Sequence, residues 1–196
     1  MRVAGQCLRG YVQERIGYDS TGTQMTAYVA LLRAVNVAGT GKLPMADLRA
    51  MAQNLGFANV RTFIASGNLL FDSELSEADV KAVLEAKLKV FAGKPVPVFV
   101  RTAAEMLAVH KADPFPDAHG SRHMVYFLDA APSPDTIETA RDQAGERIAL
   151  GTREIYVDYG EGIRFTKLKL AATKISTGRN MNSVGKLVAM LSPKRG

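Results

Sequence analysis

The 196-residue chain is 47% hydrophobic and 22% charged, which is typical of a globular protein and excludes a disordered one. No apolar stretch approaches the roughly 18 residues that a membrane span needs, so no membrane partner is expected. The net charge of +6 favours anionic partners such as nucleic acid, nucleotides or phosphorylated metabolites.

Residues 1–24 differ from the rest of the chain. They contain no apolar run that would serve as the core of a secretory signal, and they show no clear periodicity. A clean strand pattern starts at Met25, so we expect residues 1–24 to be an N-terminal extension; the alternative is a short helix packed on the domain. The single cysteine, Cys7, lies in this segment. The rest of the chain has no cysteine and therefore no disulfide, which fits a reducing cytoplasm.

The next 76 residues predict alternating strands and helices. The elements follow in chain order: a strand over Tyr28–Val37, a helix from Pro44 to Gly56, strands over Val60–Ala65 and Leu69–Phe71, a helix that Ser76 opens and Gly93 ends, and a strand over Val96–Val100. The periodicity places Val80, Val83, Leu84, Leu88 and Phe91 on the buried face of the second helix. The order βαββαβ is that of a ferredoxin-like plait.

The remainder predicts a second, similar round, approximating βαββα with Val96–Val100 as its first strand. Its expected elements are a helix capped by Thr102 and Glu105, a strand over His123–Leu128, a helix over Ile137–Ala144, a hairpin of Arg147–Leu150 and Glu154–Tyr159, and helices over Lys167–Ile175 and Ser183–Met190. The predicted fold class is therefore α+β, with two closely packed ferredoxin-like (α-β plait) subdomains over 25–101 and 102–196. Whether the two halves share strands stays open.

The loop from Asn36 to Leu43 (NVAGTGKL) invites comparison with a phosphate-binding P-loop. It departs from that motif twice, because Asn36 occupies the first glycine position and Leu43 the position of the magnesium-binding Ser or Thr. The glycines, Lys42 and the following helix N-terminus still suit an anion. The alternative is an ordinary connection between a strand and a helix.

Three further polar residues in the first half are candidates for a site. Arg33 lies within the predicted apolar strand, where a charge is costly unless it is paired with a carboxylate such as Asp47 or Asp72, or holds a substrate anion. Ser66 and Asn68 flank a glycine between two strands. They either face a pocket or only form a tight turn.

The last polar cluster, Thr177–Asn182 (TGRNMN), precedes the final helix. Asn182 is a sensible N-cap for that helix, but capping does not explain Arg179 and Asn180. The spacing of the three histidines does not indicate a metal site, and no nucleophile–base arrangement is legible. No metal or other cofactor is expected.

Four segments together resemble the bacterial DUF1697 family of unknown function. They are Leu31–Val37 (LLRAVNV), Lys42–Met45 (KLPM), Ser66–Asn68 (SGN) and Thr177–Val184 (TGRNMNSV). The resemblance covers about Met25 to Leu191 and implies two ferredoxin-like subdomains in a cytoplasmic bacterial protein, with no established activity. This chain departs from the family pattern at Ala34 (usually Gly), Met181 (usually Trp) and Ser183 (usually Thr).

We expect a small phosphate- or nucleotide-like ligand to bind in a cleft between the polar segments. The candidate binding residues are Arg33, Asn36, Lys42, Ser66, Asn68, Arg179, Asn180 and Asn182. Their side chains are cations and hydrogen-bonding groups suited to phosphate or carboxylate. The alternatives are non-specific nucleic-acid binding through a basic face, without a recognised RNA-binding motif, and a protein-interaction or self-association module. The oligomeric state and any enzymatic activity stay open.

Overall fold

The computed structural model describes residues 17–18, 24–36 and 42–192. Within these ranges the chain forms two compact units. The first comprises the described residues up to Glu105 together with those from Ala189 onwards, and the second comprises Met106–Val188. Most of the predicted extension, residues 1–24, and the segment Val37–Gly41 of the glycine loop lie outside the described residues.

After one short initial strand, the first unit has the predicted βαββαβ order. Its strands are β1 (Gly17–Tyr18), β2 (Gln24–Leu32), β3 (Ala58–Phe63), β4 (Asn68–Ser73) and β5 (Val98–Thr102); its helices are α1 (Met45–Asn54) and α2 (Glu77–Ala92). The antiparallel order is β5-β2-β4-β3, and β1 pairs with the start of β2. The apolar faces of both helices and of the sheet form one core cluster, in which Ala30, Leu48, Leu69 and Leu84 are fully buried.

Caps explain several element boundaries. The side chain of Ser76 accepts a hydrogen bond from the Asp79 amide at the start of α2, and Gly93 ends that helix in the left-handed region with φ 68°. The predicted strand over Tyr28–Val37 ends early, at Leu32. It stops there because Ala34 and Asn36 have φ values of 51° and 55°, which an extended strand cannot accommodate.

The second unit has the same strand order as the first. After α3 (Ala103–Lys111) come β6 (His123–Phe127), β7 (Arg147–Leu150), β8 (Glu154–Asp158), β9 (Thr177–Asn180) and α4 (Met181–Leu191). The antiparallel order β7-β8-β6-β9 matches β3-β4-β2-β5 when strands are counted within each unit. Both sheets are therefore ferredoxin-like. The strand predicted at Val96–Val100 completes the first sheet as β5, as the predicted βαββαβ order has it, but it does not also open the second sheet.

Two predicted helices of the second unit are wrong. Ile137–Ala144 contains no helix; a short 3-10 turn, Pro134–Thr136, precedes it. In Lys167–Ile175 only Ala171–Ile175 is helical, as a 3-10 segment. The reason is a pairing across the two segments: the amides of Arg141 and Lys169 each donate to the other's carbonyl, at 3.1 and 2.9 Å. Those groups are therefore unavailable for helical hydrogen bonds.

Candidate functional site

A cavity of about 540 Å³ opens at one end of the first unit. Its charged lining residues are Arg33, Lys42 and Lys94, and no carboxylate lines it among the residues that the structure describes. The apolar part of the wall includes Leu88, Phe91, Val96 and the prolines at 95 and 97. Three segments meet here: the end of β2, the approach to α1, and the connection from α2 to β5.

Arg33 reaches the cavity because it lies just after β2 rather than within it. Its amide donates to the Pro97 carbonyl at 2.9 Å, which fixes the chain beside the connection into β5. The side chain is half-buried and lines the cavity. Among the described residues it forms no ion pair with Asp47 or Asp72. The predicted position inside the strand is thus wrong.

Asn36 holds the two ends of the glycine loop together. Its side-chain amide donates to the carbonyls of Leu43 and Ala65 at 2.9 and 2.8 Å, and its Oδ1 accepts from the Leu43 amide at 2.7 Å. Leu43 is buried, whereas its neighbour Lys42 is exposed on the cavity wall. The main contribution of Asn36 is therefore to position Lys42, since both its amide hydrogens are already donated to the backbone.

Phe91 and Lys94 belong to the cavity although the sequence did not predict them there. Phe91 lies in the last turn of α2, and its predicted burial in the core is wrong because 47% of the residue is exposed. The left-handed Gly93 turns the chain so that Lys94 follows on the same wall. The sequence signal that could have indicated Lys94 is its position between the helix-ending Gly93 and Pro95.

The Ser66–Asn68 turn supports the cavity without lining it. Asn68 is fully buried, and its side-chain amide donates to the Phe63 carbonyl and to Ser66 Oγ, both at 3.0 Å. Gly67 has φ 76°, and its carbonyl accepts from the Leu32 amide at 2.8 Å. A Cβ at this glycine would lie 2.8 Å from Leu32 Cβ and closer still to Val35 Cγ2. Since Val35 lines the cavity, the turn fixes part of its wall.

Arg179 lies in β9 of the second unit and is only 7% exposed. Its guanidinium donates to Thr177 Oγ1 at 2.9 Å and to the Gly178 carbonyl at 2.8 Å. Burial lowers the pKa of this arginine to about 10, because a charged group loses solvation inside the protein. These contacts are those of a cation built into the second unit.

Asn180, not Asn182, occupies the cap position of the final helix. Its Oδ1 accepts from the Ser183 amide at 2.9 Å, and α4 begins at the next residue, Met181. Asn182 lies in the first turn, where its amide donates to the Gly120 carbonyl at 3.4 Å. Its side chain fills the space that a Cβ at Gly120 would occupy. The predicted cap at Asn182 is therefore wrong by two residues.

The cavity gathers part of the predicted site. Arg33 and Lys42 line it, and Asn36 and the Ser66–Asn68 turn support it from behind. Its described lining residues all belong to the first unit. The participation of Arg179, Asn180 and Asn182 in the same site stays a prediction.

A buried histidine lies at the centre of a charged network in the second unit. His123 is 1% exposed, with Nδ1 3.4 Å from Asp113 Oδ1, and Nε2 has no hydrogen-bond partner among the described residues. Burial lowers its pKa, although nearby Asp113 and Asp158 act in the opposite direction. Arg147 ties this region together through Asp158 at 2.7 Å and Asp117 at 3.0 Å.

The ranges 17–18, 24–36 and 42–192 contain no group of three or more His, Cys, Asp or Glu side chains placed to hold a metal ion. In the same ranges no helix has the length and apolar character to cross a bilayer.

The order of the strands in the two sheets defines an α+β protein with two ferredoxin-like sheets. The chain belongs to the DUF1697 family, described as proteins of unknown function, whose sequence profile matches residues 25–156. A solved structure, that of the conserved bacterial protein SP0830 from Streptococcus pneumoniae, is similar over 86% of this chain and 99% of its own. The two share 26% sequence identity with a TM-score of 0.72. No curated protein matches the chain.

Proposed function

We propose that this protein binds a small anionic ligand, phosphate- or nucleotide-like, in the cavity of the first unit. One observation carries the proposal: Arg33, Lys42 and Lys94 line the cavity, and its described lining residues include no carboxylate. Among the described residues, none of the three forms an ion pair. Their positive charge is therefore available to a ligand.

The concave shape of the cavity raises the positive electrostatic potential that these three cations produce. Like charges that converge on a cleft with apolar walls raise the local potential and attract an anion more strongly than the same charges on a flat surface. The volume of about 540 Å³ falls within the roughly 300–1,000 Å³ of small-molecule pockets. Of the binding residues expected from the sequence, Arg33 and Lys42 would contact the ligand, and Lys94 joins them.

A second cavity of the first unit makes a useful contrast. It has a volume of about 830 Å³ and is lined by Arg61 but also by Asp72, which accepts a hydrogen bond from Asn59 at 2.7 Å. A carboxylate opposes an anionic ligand. Because its described charged lining residues are all cations, the first cavity suits an anion better than the second.

The test is a calorimetric titration of the full chain with inorganic pyrophosphate. Each hydrogen bond to a charged group contributes roughly 1.5–3 kcal/mol, so Arg33→Gln and Lys94→Gln should each weaken binding by about tenfold or more. Lys89→Gln is the matched control, since Lys89 is exposed in the last turn of α2 but does not line the cavity. Its affinity should equal that of the wild type.

The same variants distinguish the rival functions. A single-stranded oligonucleotide that binds while pyrophosphate does not, with Lys89→Gln and Lys94→Gln equally impaired, would replace the cavity by a broad basic face. Concentration-dependent self-association without pyrophosphate binding would support the interaction module instead. Either result contradicts the proposed ligand site.

A further inference from the structure

The aromatic ring of Phe91 is the least expected part of the cavity. It lies on the same helix face as Leu88, which is buried, yet 47% of Phe91 is exposed. Among the described residues its ring makes no aromatic or cation–π contact. A large aromatic side chain left open inside a concave site is suited to cover the apolar part of a ligand.

The lining of the cavity therefore has a cationic part and an apolar part. One part of the lining offers Arg33, Lys42 and Lys94, and the other offers Phe91 beside Leu88, Val96 and two rigid prolines. Phe91 and Lys94 are only three residues apart, joined by the tight turn at Gly93. A ligand that satisfies both parts carries several negative charges close to a flat apolar group.

We propose that the ligand is a nucleotide whose base stacks on Phe91 while its phosphates contact the three cations. This inference rests on the proposed function. Several cations match a phosphate group, which carries up to two charges, better than a single carboxylate. A nucleobase provides the flat π-face that an exposed phenylalanine ring stacks against, whichever base it is.

Among the described residues that line the cavity, none is the magnesium-binding Ser or Thr of a P-loop. The connection into α1 has Leu43 where a P-loop has its magnesium-binding hydroxyl, and this leucine is buried in the core. Asn36 is engaged with the backbone of Leu43 and Ala65. Leu43 and Asn36 therefore hold the wall of the cavity.

Calorimetry with three probes tests the assignment: adenosine diphosphate, inorganic pyrophosphate and adenosine. Stacking of one base contributes roughly 5- to 150-fold in affinity, so the wild type should bind adenosine diphosphate at least fivefold more tightly than pyrophosphate. Phe91→Leu should remove most of that advantage and leave pyrophosphate binding unchanged. Arg33→Gln should weaken both phosphate-containing probes.

Val90→Ala is the control for Phe91→Leu, because Val90 precedes Phe91 on the same helix, is 84% exposed and does not line the cavity. Its binding of all three probes should match the wild type. Equal affinities for adenosine diphosphate and pyrophosphate, unaffected by Phe91→Leu, would overturn the nucleotide assignment while the anion site stands. Adenosine binding as tightly as the diphosphate would overturn the role of the cations. No binding of any probe would overturn both proposals.

Discussion

The cations that line the first unit's cavity differ from Arg147 and Arg179 of the second unit in what they contact. Around the first unit's cavity, Arg33, Lys42 and Lys94 have no carboxylate partner among the described residues. In the second unit Arg147 is paired with Asp117 and Asp158. Arg179, also in the second unit, is buried and donates to its own strand. The same residue types therefore occur in two environments: without a carboxylate partner around the cavity, and fixed by protein acceptors in the second unit.

This contrast separates the two explanations that a cation in a sequence always allows. An arginine that is fixed by protein acceptors lowers the free energy of the folded state, and its removal costs stability. An arginine that faces a cavity without a partner contributes little to folding and is available to a ligand. Stability and affinity measurements on matched variants can therefore break or sharpen the comparison.

The largest effect is expected for Arg179→Ala. The change removes hydrogen bonds to Thr177 Oγ1 and the Gly178 carbonyl and leaves a void among buried atoms, so it should lower the free energy of unfolding by about 3 kcal/mol. Urea denaturation measures this loss. Arg33→Ala is the comparison variant and should change stability by less than about 0.5 kcal/mol. Equal losses in the two variants would remove the distinction between the regions.

The next largest effect concerns the turn behind the cavity. Gly67→Ala would place a methyl group against Leu32 and Val35 in a left-handed residue, and we expect a loss of about 2–3 kcal/mol. Gly93→Ala has a similar φ of 68° but no atom within 4 Å of the new methyl group, so about 1 kcal/mol is expected. Thermal unfolding of the two variants side by side measures the difference. Similar losses would mean that the close approach to Val35 is unimportant.

A smaller, pH-dependent effect is expected from His123. Burial holds the pKa of His123 below the value of about 6.5 for an unfolded chain. As the pH falls below about 6.5, the unfolded state therefore binds more protons than the folded state. The contribution of His123 to the free energy of unfolding is fully present at about pH 7.5, and the free energy of unfolding should decrease towards about pH 5.5. Urea midpoints across this range should show a weaker dependence in His123→Gln than in the wild type. His119→Gln, which changes an exposed histidine, should retain the wild-type dependence.

The smallest effect is expected for Lys169→Ala. Its partner Asp142 is also on the surface, and the hydrogen bond and charge of Lys169 lower the pKa of Asp142. Solvent screens such exposed pairs, so the urea midpoint should not change measurably at neutral pH. Pyrophosphate affinity should also stay at the wild-type value. A clear loss of affinity would show that anions bind to the second unit's surface cations as well.

Local sequence signals predicted the helix boundaries around the first sheet, and with them its strands. Gly93 ends its helix in the left-handed region, as predicted. The predicted capping box of Thr102 and Glu105 also forms: the Thr102 amide donates to Glu105 Oε2 at 2.8 Å, and the Glu105 amide donates to Thr102 Oγ1 at 3.2 Å. Such motifs satisfy backbone groups within a few residues, so their sequence pattern is sufficient. The order of the strands then follows from the rules that govern a split βαβ unit.

What the sequence did not reveal depended on distant residues. β9 was not predicted because Thr177–Asn180 has no apolar alternation, and its pairing partner β6 lies some fifty residues earlier. Burial of Arg179 and exposure of Phe91 were hidden for the same reason. The cationic lining of the cavity was predictable in part: Arg33 and Lys42 interrupt apolar patterns, whereas Lys94 becomes significant only when the fold brings it beside them.

The most direct test of the account is an NMR titration of the isotope-labelled full chain with inorganic pyrophosphate. We predict saturable chemical-shift changes at the backbone amides of Arg33, Val35, Leu43 and Val96, which line the cavity. The backbone amide signal of Arg147 in the second unit should not shift beyond the small effect of ionic strength. Changes that instead centre on Arg147, or that spread over exposed lysines without saturating, would contradict a binding cavity in the first unit.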